Sequence, residues 1–339
     1  MVRAQGMRAT IPVVEGALMT ASDQTVSQLG EFGLIDALTD VLGTQDLPVD
    51  SAVLVGPGDD AAVVSMPNQR LVISTDSMIE NVHFKRSWSS GVDVGVRAAA
   101  ANLSDILAMG ASPAALVVAL GVPEDLPVSF ALDIARGMKQ EADRLGVAVV
   151  GGDVVAAPVI MITVTAIGSP TDRVIERSGA QVGDVVAITG RLGWAAAGLA
   201  VAMRGFSSPR VLVDAHRRPV IDYDIVRAGF AHARSLCDVS DGLIADAAHL
   251  AKASGVRIDI SSGSLTVSDP LKDVGAALTE DPLNWVLTGG DDHAFLGTFP
   301  ADQVPPGWNV IGAVSQGQGV GVDGADFLGL AGHTHFAGQ

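Results

Sequence analysis

Cysteine is almost missing: Cys237 is the only one in 339 residues. That rules out an intramolecular disulfide framework and a cysteine-rich zinc site, and it suits a reducing cytoplasm, the compartment expected for this chain. Lysine is nearly as scarce. Four lysines (Lys85, Lys139, Lys252, Lys272) stand beside 17 arginines, and the 38 acidic residues divide into 31 Asp and only 7 Glu. The formal charge of −17 argues against a nucleic-acid backbone or an anionic membrane as a partner. Long hydrophobic runs are missing too. Segment 11–19 is broken by Pro12 and Glu15, and segment 154–167 by Pro158, Thr163 and Thr165, so neither reads as a membrane helix or a targeting signal. No G-x-x-x-x-G-K-[ST] phosphate loop occurs, nor the protein-kinase set of Gly-rich loop, H-R-D and D-F-G.

A hydrophobic content of 48% is ample for folded cores, and the length suggests about two domains at ~150 residues each. Residues 1–28 lack periodicity and read as a loose tail. Helical spacing of Leu34, Ile35, Leu38, Val41 and Leu42 predicts a helix over 31–42. Further helices are expected over 92–109 (with an Ala-rich face suited to close packing), 129–145, 194–203 and 243–254. Strands are expected over 51–55, 61–64, 70–75, 114–120, 147–150, 160–167, 185–189, 256–260, 293–299 and 309–314. Gly168, Pro170, Gly179 and Gly183 punctuate a boundary, which divides the chain into 29–168 and 169–339. The expected class is α/β (α+β), with mixed sheets flanked by helices.

The excess of Asp has a pattern. A strand repeatedly runs into Gly or Ser and then Asp, at Gly58-Asp59-Asp60, Ser74-Thr75-Asp76, Gly152-Asp153, Asp238-Val239-Ser240-Asp241 and Gly290-Asp291-Asp292, while Leu103-Ser104-Asp105 sits inside a long helix. Each alone is ordinary turn chemistry. Together, at the ends of neighbouring strands, they could converge, and converging carboxylates repel unless hard cations neutralise them. Oxygen-only ligands suit Mg²⁺, whose usual task is to bridge substrate phosphates. Arg177, in Glu176-Arg177-Ser178-Gly179, could supply further positive charge. Ser240 has a simpler reading as a helix cap, and His249 one as a packing or surface residue.

These blocks, with Gly30-Glu31-Phe32, Asn102 to Gly110, Gly151-Gly152-Asp153 and Gly289-Gly290-Asp291-Asp292, resemble the thiamine-monophosphate kinase family, within the wider aminoimidazole ribonucleotide synthetase-like superfamily, over residues 29–336. The resemblance implies a two-domain fold of that superfamily. It also implies direct in-line transfer of the ATP γ-phosphoryl group to thiamine monophosphate, the last step in making thiamine diphosphate, with several Mg²⁺ ions and a homodimer formed through the N-terminal domain. By the same resemblance Asp60, Ser74, Thr75, Asp76, Asp105, Asp153, Asp238 and Asp241 are metal ligands, Gly152, Asp153, Arg177 and Ser240 contact ATP, and His83, Asp291 and His333 contact the thiamine substrate. Asp105, Asp153, Arg177 and Asp241 would carry the catalysis. Asp291 stands where the family has Glu, and Val154 where it has Thr. Another ATP-dependent enzyme of the superfamily, of the purine-pathway or selenophosphate type, is the alternative; the chain has no cysteine near either end, which disfavours the selenophosphate type. An acidic Ca²⁺-binding protein would need regularly spaced Asp repeats, which do not occur.

Overall fold

Apolar residues fill two helix-on-sheet layers, and one helix serves both. The computed structural model describes residues 24–43, 52–55, 63–66, 70–327 and 332. The first half contains α1 (Val26–Leu42), β1 (Val53–Val55), β2 (Val63–Val64), β3 (Val72–Ile79), α2 (Gly91–Ala108), β4 (Ala111–Val122), α3 (Val128–Asp143), β5 (Ala148–Ala156) and β6 (Met161–Pro170). The second contains β7 (Val185–Thr189), α4 (Trp194–Met203), α5 (Arg210–Arg217), α6 (Tyr223–Gly229), β8 (Ser235–Val239), α7 (Leu243–Ser254), β9 (Arg257–Ile260), α8 (Asp269–Leu278), α9 (Pro282–Thr288), β10 (Ala294–Phe299), β11 (Asn309–Ser315), β12 (Gly319–Val322) and β13 (Ala325–Asp326). A four-stranded sheet, β3-β6-β4-β5, carries the first half, and a seven-stranded one, β13-β12-β9-β11-β7-β10-β8, the second. Both are mixed: β4 pairs with β5 in parallel and β12 with β9 likewise, amid antiparallel neighbours. This is the mixed α/β class expected.

Helix α2 joins the layers. Its N-terminus is closed by a capping box, in which Ser90 accepts from the Asp93 amide at 3.2 Å and Asp93 accepts from the Ser90 amide at 2.9 Å. One side (Val94, Ala98, Leu103, Ile106) packs into the core of the first half. The other (Ala100, Leu107, Ala108) packs against Tyr223, Leu236, Phe295 and Phe299 of the second. A helix apolar on all sides is a buried one. Small residues let α3 come close: a Cβ at Gly95 would stand 1.9 Å from the Ile134 carbonyl oxygen, and one at Gly137 2.0 Å from that of Val92.

Several local expectations change. Helix α1 begins at Val26, not Glu31, because Thr25 and Gln28 form a capping box and the amides of Val26 and Ser27 donate to the carbonyls of Leu126 and Glu124; Gly30, at φ 76°, kinks it. Residues 24–28 are therefore tied down rather than loose. Ser74-Thr75-Asp76 and Gly151-Gly152-Asp153 are interior to β3 and β5, not at strand ends. Segment 210–229, for which no helix is expected, forms α5 and α6, with Asp222 capping α6 by accepting from the Ile225 amide at 3.2 Å. Among the described residues no helix is long and apolar enough to cross a membrane.

The four-stranded sheet has one face on α2 and α3. On its other face stand Ile73 (59% exposed), Val155 (48%) and Met161 (38%), together with Thr75, Ser77, Thr163 and Thr165.

Candidate active site

The junction between the halves holds a cavity of about 500 Å³, lined among others by Ser74, Asp105, Glu176, Arg177, Ser178 and Asp238. These residues come from β3, α2, the short turn 177–179 and β8. Ser74 Oγ donates to Asp105 Oδ2 at 2.5 Å, and the Asp76 amide donates to Asn102 Oδ1 at 3.0 Å, so β3 is pinned to α2 at the carboxylates. Burial pushes Asp105 up to about 7, and the negative charges of Asp238 and Asp76 add to it against the Ser74 hydrogen bond. Asp76 is raised by burial and by Asp238. Asp246 is pushed up to about 7, first by burial and then by Asp238 and Asp241. These carboxylates share one field of negative charge, the condition in which cations or protons must enter.

Across the cavity, β8 ends at Val239 and the chain turns through Ser240-Asp241-Gly242 into α7. Ser240 does not cap this helix. Asp246, one turn inside, accepts from the amides of Asp241 and Gly242 at 3.1 Å each. Asp241, Asp246 and His249 each offer a ligand atom within 4.8 Å of the others. The Ser240 carbonyl accepts the Asp291 amide at 2.8 Å, which ties the Gly289-Gly290-Asp291-Asp292 loop to this turn. A Cβ at Gly290 would come 2.4 Å from that carbonyl oxygen, so glycine is needed for the approach. Gly332 lies against the same turn, where a Cβ would stand 2.3 Å from the Asp241 carbonyl oxygen.

Three side chains that sequence reasoning missed complete the framework. His293 Nδ1 lies 3.2 Å from Asp238 Oδ2; burial would lower its pKa, but the hydrogen bond and charge of Asp238 raise it. Asp292 accepts from the amides of Gly193 and Ala195, at 2.5 and 2.8 Å, at the start of α4, and burial still pushes it up to about 7. Arg97 Nη2 is 2.7 Å from Asp291 Oδ2. Enclosure would raise the Asp291 pKa, but Arg97 more than offsets it and holds it below the usual carboxylate range. One signal for Arg97 was in the sequence: a lone arginine among alanines in a helix expected to be buried needs a partner.

The structure therefore brings Ser74, Asp76, Asp105, Arg177 and Asp238 together, with Asp241 and Ser240 on the adjoining turn. His83 and Asp291 lie beside one another through Arg97, whose Nη1 donates to the His83 carbonyl at 2.9 Å. Thr75 points to the other face of the sheet, where its hydroxyl meets Thr165 Oγ1 at 3.1 Å and the Val164 carbonyl at 3.0 Å. Gly152 and Asp153 are on β5, at the opposite edge of the sheet from β3, beside a different cavity of about 650 Å³. Asp60 and His333 lie outside the described residues.

An oxygen-only donor set of crowded carboxylates fits Mg²⁺ better than a softer metal. The upward shifts of Asp76 and Asp105, each owed first to burial and then to the charge of Asp238, are the observation that supports the fit.

The chain matches the profile of the AIR synthase related protein N-terminal domain over residues 58–169 and that of the C-terminal domain over 181–324. A thiamine-monophosphate kinase of Mycobacterium tuberculosis is 43% identical over 94% of this chain and 95% of its own. Among solved structures, a thiamine-monophosphate kinase from Stenotrophomonas maltophilia superposes with a TM-score of 0.78 at 32% identity, covering 86% of this chain and 97% of the other. AaThiL complexed with AMPPCP and TMP superposes with a TM-score of 0.75 at 34% identity, covering 92% and 99%. High coverage of relatives 32–43% identical, on the same two-layer fold, leaves one conclusion: the chain belongs to the thiamine-monophosphate kinase family of AIR synthase related proteins.

Proposed function

We propose that this protein transfers the γ-phosphoryl group of ATP to thiamine monophosphate, giving thiamine diphosphate and ADP. The observation that carries the reading is the junction cavity, where Asp105, its pKa pushed up to about 7, and the buried Asp238 share a wall with Arg177. Support also comes from the relatives named above and from the bound AMPPCP and TMP of AaThiL. The acceptor and ATP are both polyanions entering an acidic pocket. Mg²⁺ held by Asp76, Asp105 and Asp238, with Ser74, Asp241 and, outside the described residues, Asp60 as further ligands of the proposed set, would neutralise that charge; Thr75 and Asp153 stand on the opposite face of the sheet and leave that set.

The protein's own part is placement. Arg177 meets phosphate oxygens at one wall of the cavity. Ser240 and the start of α7 offer amides and a helix N-terminus to a phosphate, while Gly152 and Asp153 are the β5 contribution to ATP binding. His83 accepts the Ile79 amide on Nδ1 at 3.0 Å, so its neutral ring carries its proton on Nε2. With Asp291 and His333 it forms the acceptor end. The acceptor phosphate oxygen is already ionised, so in-line alignment with the γ-phosphorus matters more than a strong base, and no phosphoenzyme forms.

The exposed face of the four-stranded sheet, with Ile73, Val155 and Met161, suits a homodimer through the N-terminal half. A cytoplasmic location accords with the single, buried cysteine.

The decisive assay incubates the protein with Mg²⁺, ATP and thiamine monophosphate. Thiamine diphosphate should appear, with no quench-stable aspartyl phosphate. No product from folded, metal-replete protein, or turnover only with a purine-pathway substrate, overturns the reading.

A further inference from the structure

Three consecutive side chains, Asp291, Asp292 and His293, anchor to three different elements. Asp292 holds the start of α4, His293 meets Asp238 on β8, and Asp291 pairs with Arg97 on α2. The backbone at Asp291 (φ 66°) and His293 (φ 49°) is left-handed, a conformation that is unfavourable away from glycine and persists where the surroundings over-determine it. Arg97 is one of those surroundings. It is 5% exposed, and its two terminal nitrogens are divided between the halves of the molecule: Nη1 to the His83 carbonyl at 2.9 Å, Nη2 to Asp291 at 2.7 Å. His216 lies in the same enclosure, 4% exposed, with no hydrogen-bond partner on either ring nitrogen among the described residues.

We propose that Arg97 is a positioning residue for the acceptor substrate: its guanidinium fixes the spacing of the His83 and Asp291 loops across the junction and thereby sets affinity for thiamine monophosphate. The inference rests on the proposed function. It also accounts for the short side chain at position 291. A carboxylate drawn back against Arg97 acts through the loop it fixes, so the missing methylene costs less than it would for a side chain reaching into the substrate. Eight residues further along α2, about 12 Å at ~1.5 Å per residue, Asp105 belongs to the phosphate end. One rigid helix thus addresses both ends of the site through separate residues. Only arginine offers a planar fork that serves two acceptors at once; lysine keeps the charge and loses the division.

The test compares wild type, Arg97→Lys, Asp291→Asn and the double variant for kcat, KM of each substrate and Tm. Arg97→Lys should raise KM for thiamine monophosphate about tenfold, the size of a typical coupling between contacting residues, with KM for ATP within about twofold. Asp291→Asn should do the same, and the double variant should again sit near tenfold. A double variant near a hundredfold means independent action and overturns the proposal. So does a shift of both KM values together, or a fall in Tm with KM for thiamine monophosphate unchanged, the result for a merely structural ion pair. Should Arg97→Lys not fold, Asp291→Asn at its half-exposed position decides alone: an unchanged KM overturns the proposal. A wild type that turns over no thiamine monophosphate overturns the proposed function and this inference together; an active wild type with indifferent variants overturns only the inference.

Discussion

The two edges of the four-stranded sheet carry similar sequences and have different surroundings. On β3, Ser74 and Asp76 face α2 and β8, and the Asp76 carboxylate joins those of Asp105 and Asp238. On β5, Gly151-Gly152-Asp153 lines a cavity with α1 and β2 and, among the described residues, with none of the second half. The pairing register sets Asp153 opposite Ala119, Ala119 opposite Thr163, and Thr163 opposite Ser77. That is three strand spacings, about 14 Å at ~4.8 Å each. Asp76 lies one residue off that row, so its side chain and that of Asp153 leave opposite faces of the sheet. An acidic motif at a strand edge therefore does not make this site. The second half, closing over β3, does.

Substitution tests this contrast with the largest effect expected. Asp105→Asn should lower kcat between about a hundredfold and a thousandfold, the range for removing one group that organises transition-state charge, with unchanged circular dichroism. Asp153→Asn should cost less, about tenfold. Losses of equal size would break the contrast, by showing that the β5 edge serves the same phosphate as fully as the β3 edge does.

The difference between the edges also marks where the sequence could be read. Helix α4 was legible over its whole length, because Gly193 and Gly205 bracket an apolar run. So was α2, with its Ala-rich faces. The interiors of β3 and β5 were mistaken for strand ends: edge strands tolerate Gly, Ser and Asp that a central strand would reject, and the turn signals overrode the strand. Helices α5 and α6, of eight and seven residues, are too short for a periodic pattern to settle. The acidic residues of the site were legible as motifs. The partners Arg97, Asp246, Asp292 and His293 were not, because their roles arise from contacts such as Arg97 to Asp291 and His293 to Asp238, far apart in the chain.

A second contrast lies between the two faces of the same sheet. The face on α2 and α3 is closed by apolar packing, while the other presents Ile73 at 59% exposure. If that face forms the proposed homodimer, Ile73→Arg should weaken self-association roughly a hundredfold, the scale of a buried interface anchor. Sedimentation velocity would show monomer at concentrations where wild type is dimeric. Unchanged sedimentation would move the dimer interface elsewhere or remove it.

The smallest effect separates the acceptor end from the carboxylate cluster by its response to acid. His216 is held down to about 4, first by burial and then by the charge of Arg97, with Arg217 acting in the same direction and Asp291 against it. The edge of the Trp88 ring packs beside it, centroids 6.1 Å apart. An imidazole in the unfolded chain takes up its proton near pH 6.5. Between pH 6.5 and about 4 the unfolded state therefore binds a proton that the folded state refuses, and stability falls as pH falls through that window. At pH 5 this amounts to about 2 kcal/mol from the one residue. His216→Gln cannot titrate, so its urea-unfolding free energy should decline less between pH 6.5 and 4.5 than that of wild type, whatever its offset at neutral pH. Parallel curves for the two proteins would mean that the native ring takes its proton as readily as the unfolded one, and the enclosure around Arg97 would then be wet and open, unlike the closed junction that the Asp291 loop requires.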